Sequence, residues 1–259
     1  MRIFFVHKRW NRHKPVDALL GPSDNAGVKS VPPDPELPLA ERAYRELRKA
    51  IVRCEYEPGA RLRVEELGRR FDLSSSPLRE ALNRLAEQGL VRTLENRGFR
   101  VAPLTAEGVS DLARVRLLVE CEALKDSMVH GDDTWEAGVV ASAHALALVE
   151  KRIGDAPRAL NDDWSARHRA FHLGLYAACT SPMLLDLVDV LFDKAERYRR
   201  WSSQHRQEVR HKNQEHQALT SAVIARDADK AVELLRKHIS RTERLVASVL
   251  TGTSANRLQ

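Results

Sequence analysis

The sequence predicts a mainly α-helical protein, with a small basic module ahead of a larger helical one, and three observations carry that prediction. Aromatic residues make up 5% of the chain, which argues against an all-β fold. Beyond Pro103, apolar residues recur at helical spacing almost without interruption. Charge is divided unevenly: residues 1–104 carry 20 Lys/Arg against 14 Asp/Glu, and residues 105–259 carry 22 against 22. The formal net charge of +6 therefore sits in the first part, as in a polyanion-binding module joined to one with a different task.

The other compositional facts set bounds. A length of 259 residues fits one or two domains, and 43% apolar content can fill a core. The three cysteines, Cys54, Cys121 and Cys179, stand far apart and form no disulfide framework, so a reducing cytoplasm is the expected compartment. No run of about 18 apolar residues is present, and the basic start "MRIFFVHKRWNRHKP" lacks the pattern of a cleavable signal, so no membrane contact is expected.

Residues 1–38 are rich in Pro, Gly, Asp and Ser without periodicity and read as a disordered tail. "LAERAYRELRKAIVRC" then places Leu39, Ala43, Leu47, Ala50 and Ile51 on one helical face. Pro58-Gly59 breaks the chain, and "RVEELGRRFDL" reads as a short helix with Val64, Leu67 and Phe71 inward. In "SSSPLREALNRLAEQGL", Ser76 and Pro77 read as N-cap and first helical residue, Leu78, Ala81, Leu82 and Leu85 form the apolar stripe, and Gly89 ends the helix. "VRTLENRGFRVAPL" reads as two strands around a turn at Asn96-Arg97-Gly98. Helices are expected near 106–128, 134–152, 159–178, 182–203, 208–226 and 228–250, forming an antiparallel bundle.

Three helices and a two-stranded ribbon over 39–104 make a winged helix-turn-helix, whose second motif helix enters the DNA major groove by its N-terminus. Ser74, Ser75 and Ser76 stand at that end and suit phosphates or base edges. Arg79, one turn in, has two readings: a guanine or backbone contact, or a surface pair with Glu80 or Glu87. Arg97, Gly98 and Arg100 form the ribbon tip and suit phosphate or minor-groove contact. The stretch from "LRKAIVRC" to "RVAPLT", with its "SPLREALNRLAEQGLV" core, resembles the DNA-binding domain of the GntR family of bacterial transcription regulators. That resemblance implies an operator-binding regulator, commonly a repressor; tight operator binding usually needs two half-sites, so a dimer is expected. Ser75 occupies the place where the family usually has an arginine that contacts the operator.

"HRAFH" puts His168 and His172 four apart, on one helical face. The spacing is that of the zinc-protease signature HExxH, but Arg169 stands where the general-base glutamate would be. His216 lies 11 residues before Asp227 in the "RDAD" turn, and His238 lies 11 after it. In an antiparallel hairpin both arrive at the same height, about 16 Å from the turn. Four imidazoles converging in a bundle suit a divalent ion such as Zn²⁺ or Ni²⁺; the alternative is a set of polar core residues. His130, His144, His205 and His211 fit no such geometry and read as surface.

"RLLVECEAL", "HRAFHLGLYAACTSPMLLDLV" and "EHQALTSAVIARDADKAVELLRKH" resemble the FCD effector domain of the FadR subgroup of the same family. The resemblance implies a metal site in which the first ligand is often aspartate, here His168. It also implies that Arg116 lies near a ligand cavity and holds a carboxylate; the competing reading is a surface pair with Glu120. Tyr198, in "ERYRRW", is expected to line the same cavity. The "HRAFH" and "RYR" pieces resemble a carbon-starvation, glutarate-responsive branch, which implies a small dicarboxylate effector.

The expected organisation is thus a tail over 1–38, a DNA-binding domain over 39–104, an effector domain over 105–250 and a tail over 251–259. The expected function is a ligand-responsive, non-enzymatic transcription regulator. A metal-dependent hydrolase with an accessory DNA-binding domain is the rival, and it needs a general base that "HRAFH" lacks.

Overall fold

A computed structural model describes residues 37–94, 98–153, 161–206 and 213–256. The expected N-terminal tail falls almost wholly outside the described residues, and Arg97 and His211 do too.

The first domain comprises α1 (Leu39–Val52), β1 (Arg61–Leu62), α2 (Val64–Phe71), α3 (Ser75–Glu87), β2 (Val91–Leu94) and β3 (Gly98–Val101). Its core is built from the apolar stripes: Ala43, Leu47, Ile51, Leu78, Ala81, Leu82 and Leu85 are fully buried. Each leucine or isoleucine contributes about 1.5–3 kcal/mol by leaving water. Leu39 departs from the expected face and is 54% exposed, at the first residue of α1. α3 begins earlier than expected: Ser74 holds the N-cap position, without a side-chain cap bond, and Ser76 lies inside the first turn. Pro77 did not fix the start because no residue of a first turn needs its N–H. At the other end, Gly89 (φ +71°) donates to the Ala86 carbonyl and Leu90 to that of Leu85, which closes the helix in a Schellman turn.

The ribbon holds a strand more than expected. β1 pairs antiparallel with β3, giving the order β1-β3-β2. Two residues are too few to show a period in sequence.

The second domain comprises α4 (Ala106–His130), α5 (Asp133–Ile153), α6 (Asp162–Leu175), α7 (Pro182–His205), α8 (Asn213–Ile224) and α9 (Ala228–Asn256). α6 is shorter than expected, because Asn161 caps it by accepting from Trp164 N at 2.8 Å. α9 runs on to Asn256 and so occupies part of the expected C-terminal tail. The "RDAD" turn works as the spacing requires: Arg226 takes a left-handed conformation (φ +58°), and Asp227 caps α9 through Lys230 N at 3.0 Å. α8 and α9 thereby fold back on each other and bring residues equidistant from the turn side by side. No helix among the described residues is long and apolar enough to cross a membrane.

Candidate functional site

In the first domain, the candidate surface is the exposed N-terminus of α3 and the ribbon. Ser74, Ser75, Ser76 and Arg79 are all exposed there. None of the described ion pairs uses Arg79, so neither Glu80 nor Glu87 engages it among the described residues. Gly98 (φ +84°) opens β3 with open space around it, and Arg100 is exposed with Nη1 donating to the Gly59 carbonyl at 2.9 Å. Sequence reasoning did not single out Arg61 and Arg92. In the sheet register Arg61 faces Arg100, and Arg92 faces Arg100 from the other side. All three are exposed on one face. Directly opposed like charges disfavour a sheet, so this row suits a face presented to a polyanion. The alternation in "VRTL" and "GFRV" could have found Arg92 beside Arg100; Arg61 has no local signal.

In the second domain, α6 supplies His168 and His172, α8 supplies His216 and α9 supplies His238. One nitrogen from each lies within 4.8 Å of the others. All four are buried, between 0% and 7% exposed. Two carboxylates orient the outer rings: Glu150 of α5 is 3.1 Å from His216 Nδ1, and Glu215 is 2.8 Å from His238 Nδ1. This leaves the Nε2 atoms of both to face the cluster. Trp164 stacks on His168 with ring centroids 4.4 Å apart. Both ring nitrogens of His172 and Nε2 of His216 are buried with no hydrogen-bond partner among the described residues. Burial, and then the neighbouring His238 and His216, hold His172 well below the usual imidazole pKa, so it stays neutral, the form that ligates metal. The residues fit a divalent cation: four buried imidazoles converge, and nitrogens of His172 and His216 find no hydrogen-bond partner among the described residues. Of the histidines expected at the surface, His130, His144 and His205 are exposed.

Arg169 does not attend the cluster. Its guanidinium turns to α7, where Nη1 donates to Asp193 Oδ1 at 2.8 Å and Nη2 pairs with Asp189.

Arg116 does pair with Glu120, through Nε–Oε1 at 2.5 Å and Nη2–Oε2 at 3.2 Å. The expected alternative of a surface pair is corrected in one respect: both residues are buried, and Tyr176 Oη also donates to Glu120, at 2.8 Å. A cavity of about 20 Å³, room for roughly one water, lies between α4, α7 and α9 and touches Arg116, Tyr198, Arg199 and Thr242. Arg199 is buried as well, its pKa brought down to about 10 by desolvation against the opposing pull of Glu196. Arg199 lies over the Phe192 ring at 4.6 Å, and Phe192 in turn lies 6.1 Å from the His172 ring. Tyr198 lines the cavity with its ring, while its hydroxyl accepts from Thr105 N at 3.5 Å, at the start of α4. The charged cavity and the histidine cluster are therefore neighbours.

Fold and site together describe a DNA-binding regulator: a winged helix-turn-helix followed by a helical bundle that encloses a histidine cluster. Residues 39–101 match the family described as bacterial regulatory proteins, gntR family, and residues 111–241 match the FCD domain. The chain belongs to the GntR family, with an FCD effector domain, and is a transcription regulator and not an enzyme. The hydrolase alternative is set aside on the same ground. The chain is 40% identical over 201 residues to BphR of Paraburkholderia xenovorans (strain LB400), described as an uncharacterized HTH-type transcriptional regulator, covering 78% of this chain and 82% of that one. It is 36% identical over 213 residues to GlaR of Escherichia coli (strain K12), an HTH-type transcriptional repressor, covering 81% and 96%. The solved structure of E. coli McbR/YncC shares the fold, with a TM-score of 0.68 at 17% identity over 82% of this chain and 98% of that one.

Proposed function

We propose that this chain is a homodimeric repressor that reads a near-palindromic operator and releases it when a small carboxylate binds beside a divalent metal ion. The observation that carries the reading is the histidine cluster with orphaned nitrogens at its centre. A buried donor or acceptor without a partner costs about 1–3 kcal/mol, and an ion held by His168, His172, His216 and His238 would remove that cost at His172 and His216. Four imidazoles with no carboxylate among them favour Zn²⁺ or Ni²⁺ over Mg²⁺ or Ca²⁺. An ion held by these four histidines would supply Lewis acidity toward a carboxylate of the effector.

The second attraction for an anion comes from Arg116 and Arg199. Their paired carboxylates, Glu120 and Glu196, fix the guanidiniums and partly offset their charge. A cavity of about 20 Å³ is smaller than any dicarboxylate, so effector binding requires α4, α7 and α9 to part. That movement is what distinguishes a bound from a free state.

In the DNA-binding domain, Ser74, Ser75, Ser76 and Arg79 enter the major groove, and Gly98, Arg97 and Arg100 contact the backbone or minor groove, with Arg61 and Arg92 extending the basic face. Two copies are needed because two half-sites, one helical turn or more apart, supply the affinity a single module lacks. The repressor name of GlaR favours repression over activation.

Elemental analysis of purified protein, before and after chelation, tests the metal. We expect about one Zn²⁺ or Ni²⁺ per chain, lost in His172→Ala and His216→Ala. Equal and negligible uptake by wild type and variants refutes the site. Light scattering that returns the single-chain mass of 29.3 kDa at micromolar concentration refutes the dimer.

A further inference from the structure

Arg169 lies between two candidate ligands on α6, yet its side chain is spent elsewhere. Asp193 of α7 receives it through Oδ1, and the other oxygen of Asp193 pairs with Arg48 of α1, in the DNA-binding domain. One buried carboxylate thus holds two guanidiniums from two domains. A second connection runs from the start of α6: Asp162 pairs with Arg53, just beyond α1, and with Arg200 of α7 at 2.9 Å. Between these, Ser165 of α6 donates to Glu196 Oε1 at 2.5 Å.

The same stretch of α7 also grips the connection between the domains. Arg197 donates to the Ala102 carbonyl, the Cys54 thiol lies 3.5 Å from the Arg197 carbonyl, and Tyr198 meets Thr105. From Asp193 to Arg200, α7 is bonded on one side to the histidine-bearing helix and on the other to α1 and the interdomain link.

We propose that the chain Arg169–Asp193–Arg48 transmits the state of the histidine cluster to the DNA-binding domain, with Arg169 and Asp193 as positioning residues. The inference rests on the metal reading above. An ion bound by α6, α8 and α9 together fixes where α6 sits, and Arg169 is flanked by two of its ligands. A carboxylate buried between two guanidiniums loses much if either leaves. A shift of α6 is therefore followed by Asp193, and Asp193 carries Arg48 and α1 with it. Coupling of this kind is reciprocal: whatever fixes α1 also favours the metal-bound arrangement. The role also accounts for an arginine where a protease keeps its base.

The test uses full-length protein and Zn²⁺ alone, so neither operator nor effector has to be known. Amide hydrogen exchange is followed across α1, and zinc uptake is measured on the same samples. In wild type, one equivalent of Zn²⁺ slows α1 exchange about five-fold or more, the lower end of typical coupling. Arg169→Gln and Arg48→Gln bind zinc as wild type does and lose the slowing; Arg169→Lys regains part of it. Slowing that persists in both Gln variants overturns the relay, as does zinc uptake by wild type with unchanged α1 exchange. Absence of zinc uptake by wild type overturns the relay together with the metal reading. If Arg169→Gln fails to fold, Arg48→Gln decides alone, since the Arg48 side chain is 31% exposed and lies on α1, which carries none of the four histidines.

Discussion

The two domains keep their charges in opposite places. In the DNA-binding domain every buried residue among those described, from Ala43 to Val101, is apolar, and the arginines are half-buried or exposed. In the effector domain the interior holds Arg116, Glu120, Asp193, Glu196, Arg197, Arg199 and the four histidines. An apolar core is satisfied whatever is bound, so it makes a rigid reader. A buried polar cluster is satisfied only when each partner is present, so its stability depends on occupancy. The division suits one domain that keeps its shape and, on the function proposed above, another that responds to a ligand.

Breaking the polar interior should have the largest effect. Glu120→Ala leaves Arg116 buried without its carboxylate, and the loss should be about 3–5 kcal/mol in urea unfolding. A loss below about 1 kcal/mol means that the pair is not desolvated as described. Leu82→Ala attacks the apolar interior instead, at about 2–5 kcal/mol. It should loosen the reader while zinc uptake persists; the two measurements moving together sinks the division of labour.

Arg79→Ala should leave stability unchanged and cost about 1–3 kcal/mol of specific operator affinity in gel-shift titration. Arg100→Ala should weaken binding to all sequences alike and flatten its salt dependence. Glu215→Gln removes the carboxylate that orients His238 and should weaken metal binding about 10- to 100-fold in competition with a chelator.

The smallest effect is on acid stability without metal. Burial lowers the folded pKa of His172 below its unfolded value of about 6.5. The unfolded chain then binds the proton more readily, so stability is intact above about pH 6.5 and declines as pH falls below it. Melting of metal-free protein at pH 7.5 and 5.5 should show that decline, and His172→Gln should reduce it. An equal decline in both assigns it to other groups.

Much of this was legible from the sequence alone. The helices, the stripe Leu78-Ala81-Leu82-Leu85 and the turn at Gly89 follow from interactions within one or two turns of chain, which spacing records directly. The four histidines were legible for a similar reason. His168 and His172 share a face by helical period, and a hairpin centred on Asp227 converts equal sequence distances into equal heights. Tertiary structure decided what depends on contacts between elements. Arg116 pairs with Glu120 as its spacing allows, but α7 and α9 closing over α4 turned a surface pair into a buried one. The two-residue β1 exists because β3 lies beside it, which set Arg61 across from Arg100. Arg169, with no acidic neighbour three or four residues away, found its partners on α7 and through them Arg48 on α1. Pairings across tens of residues leave no period in a sequence, because their energy depends on which surfaces pack together after the helices have formed.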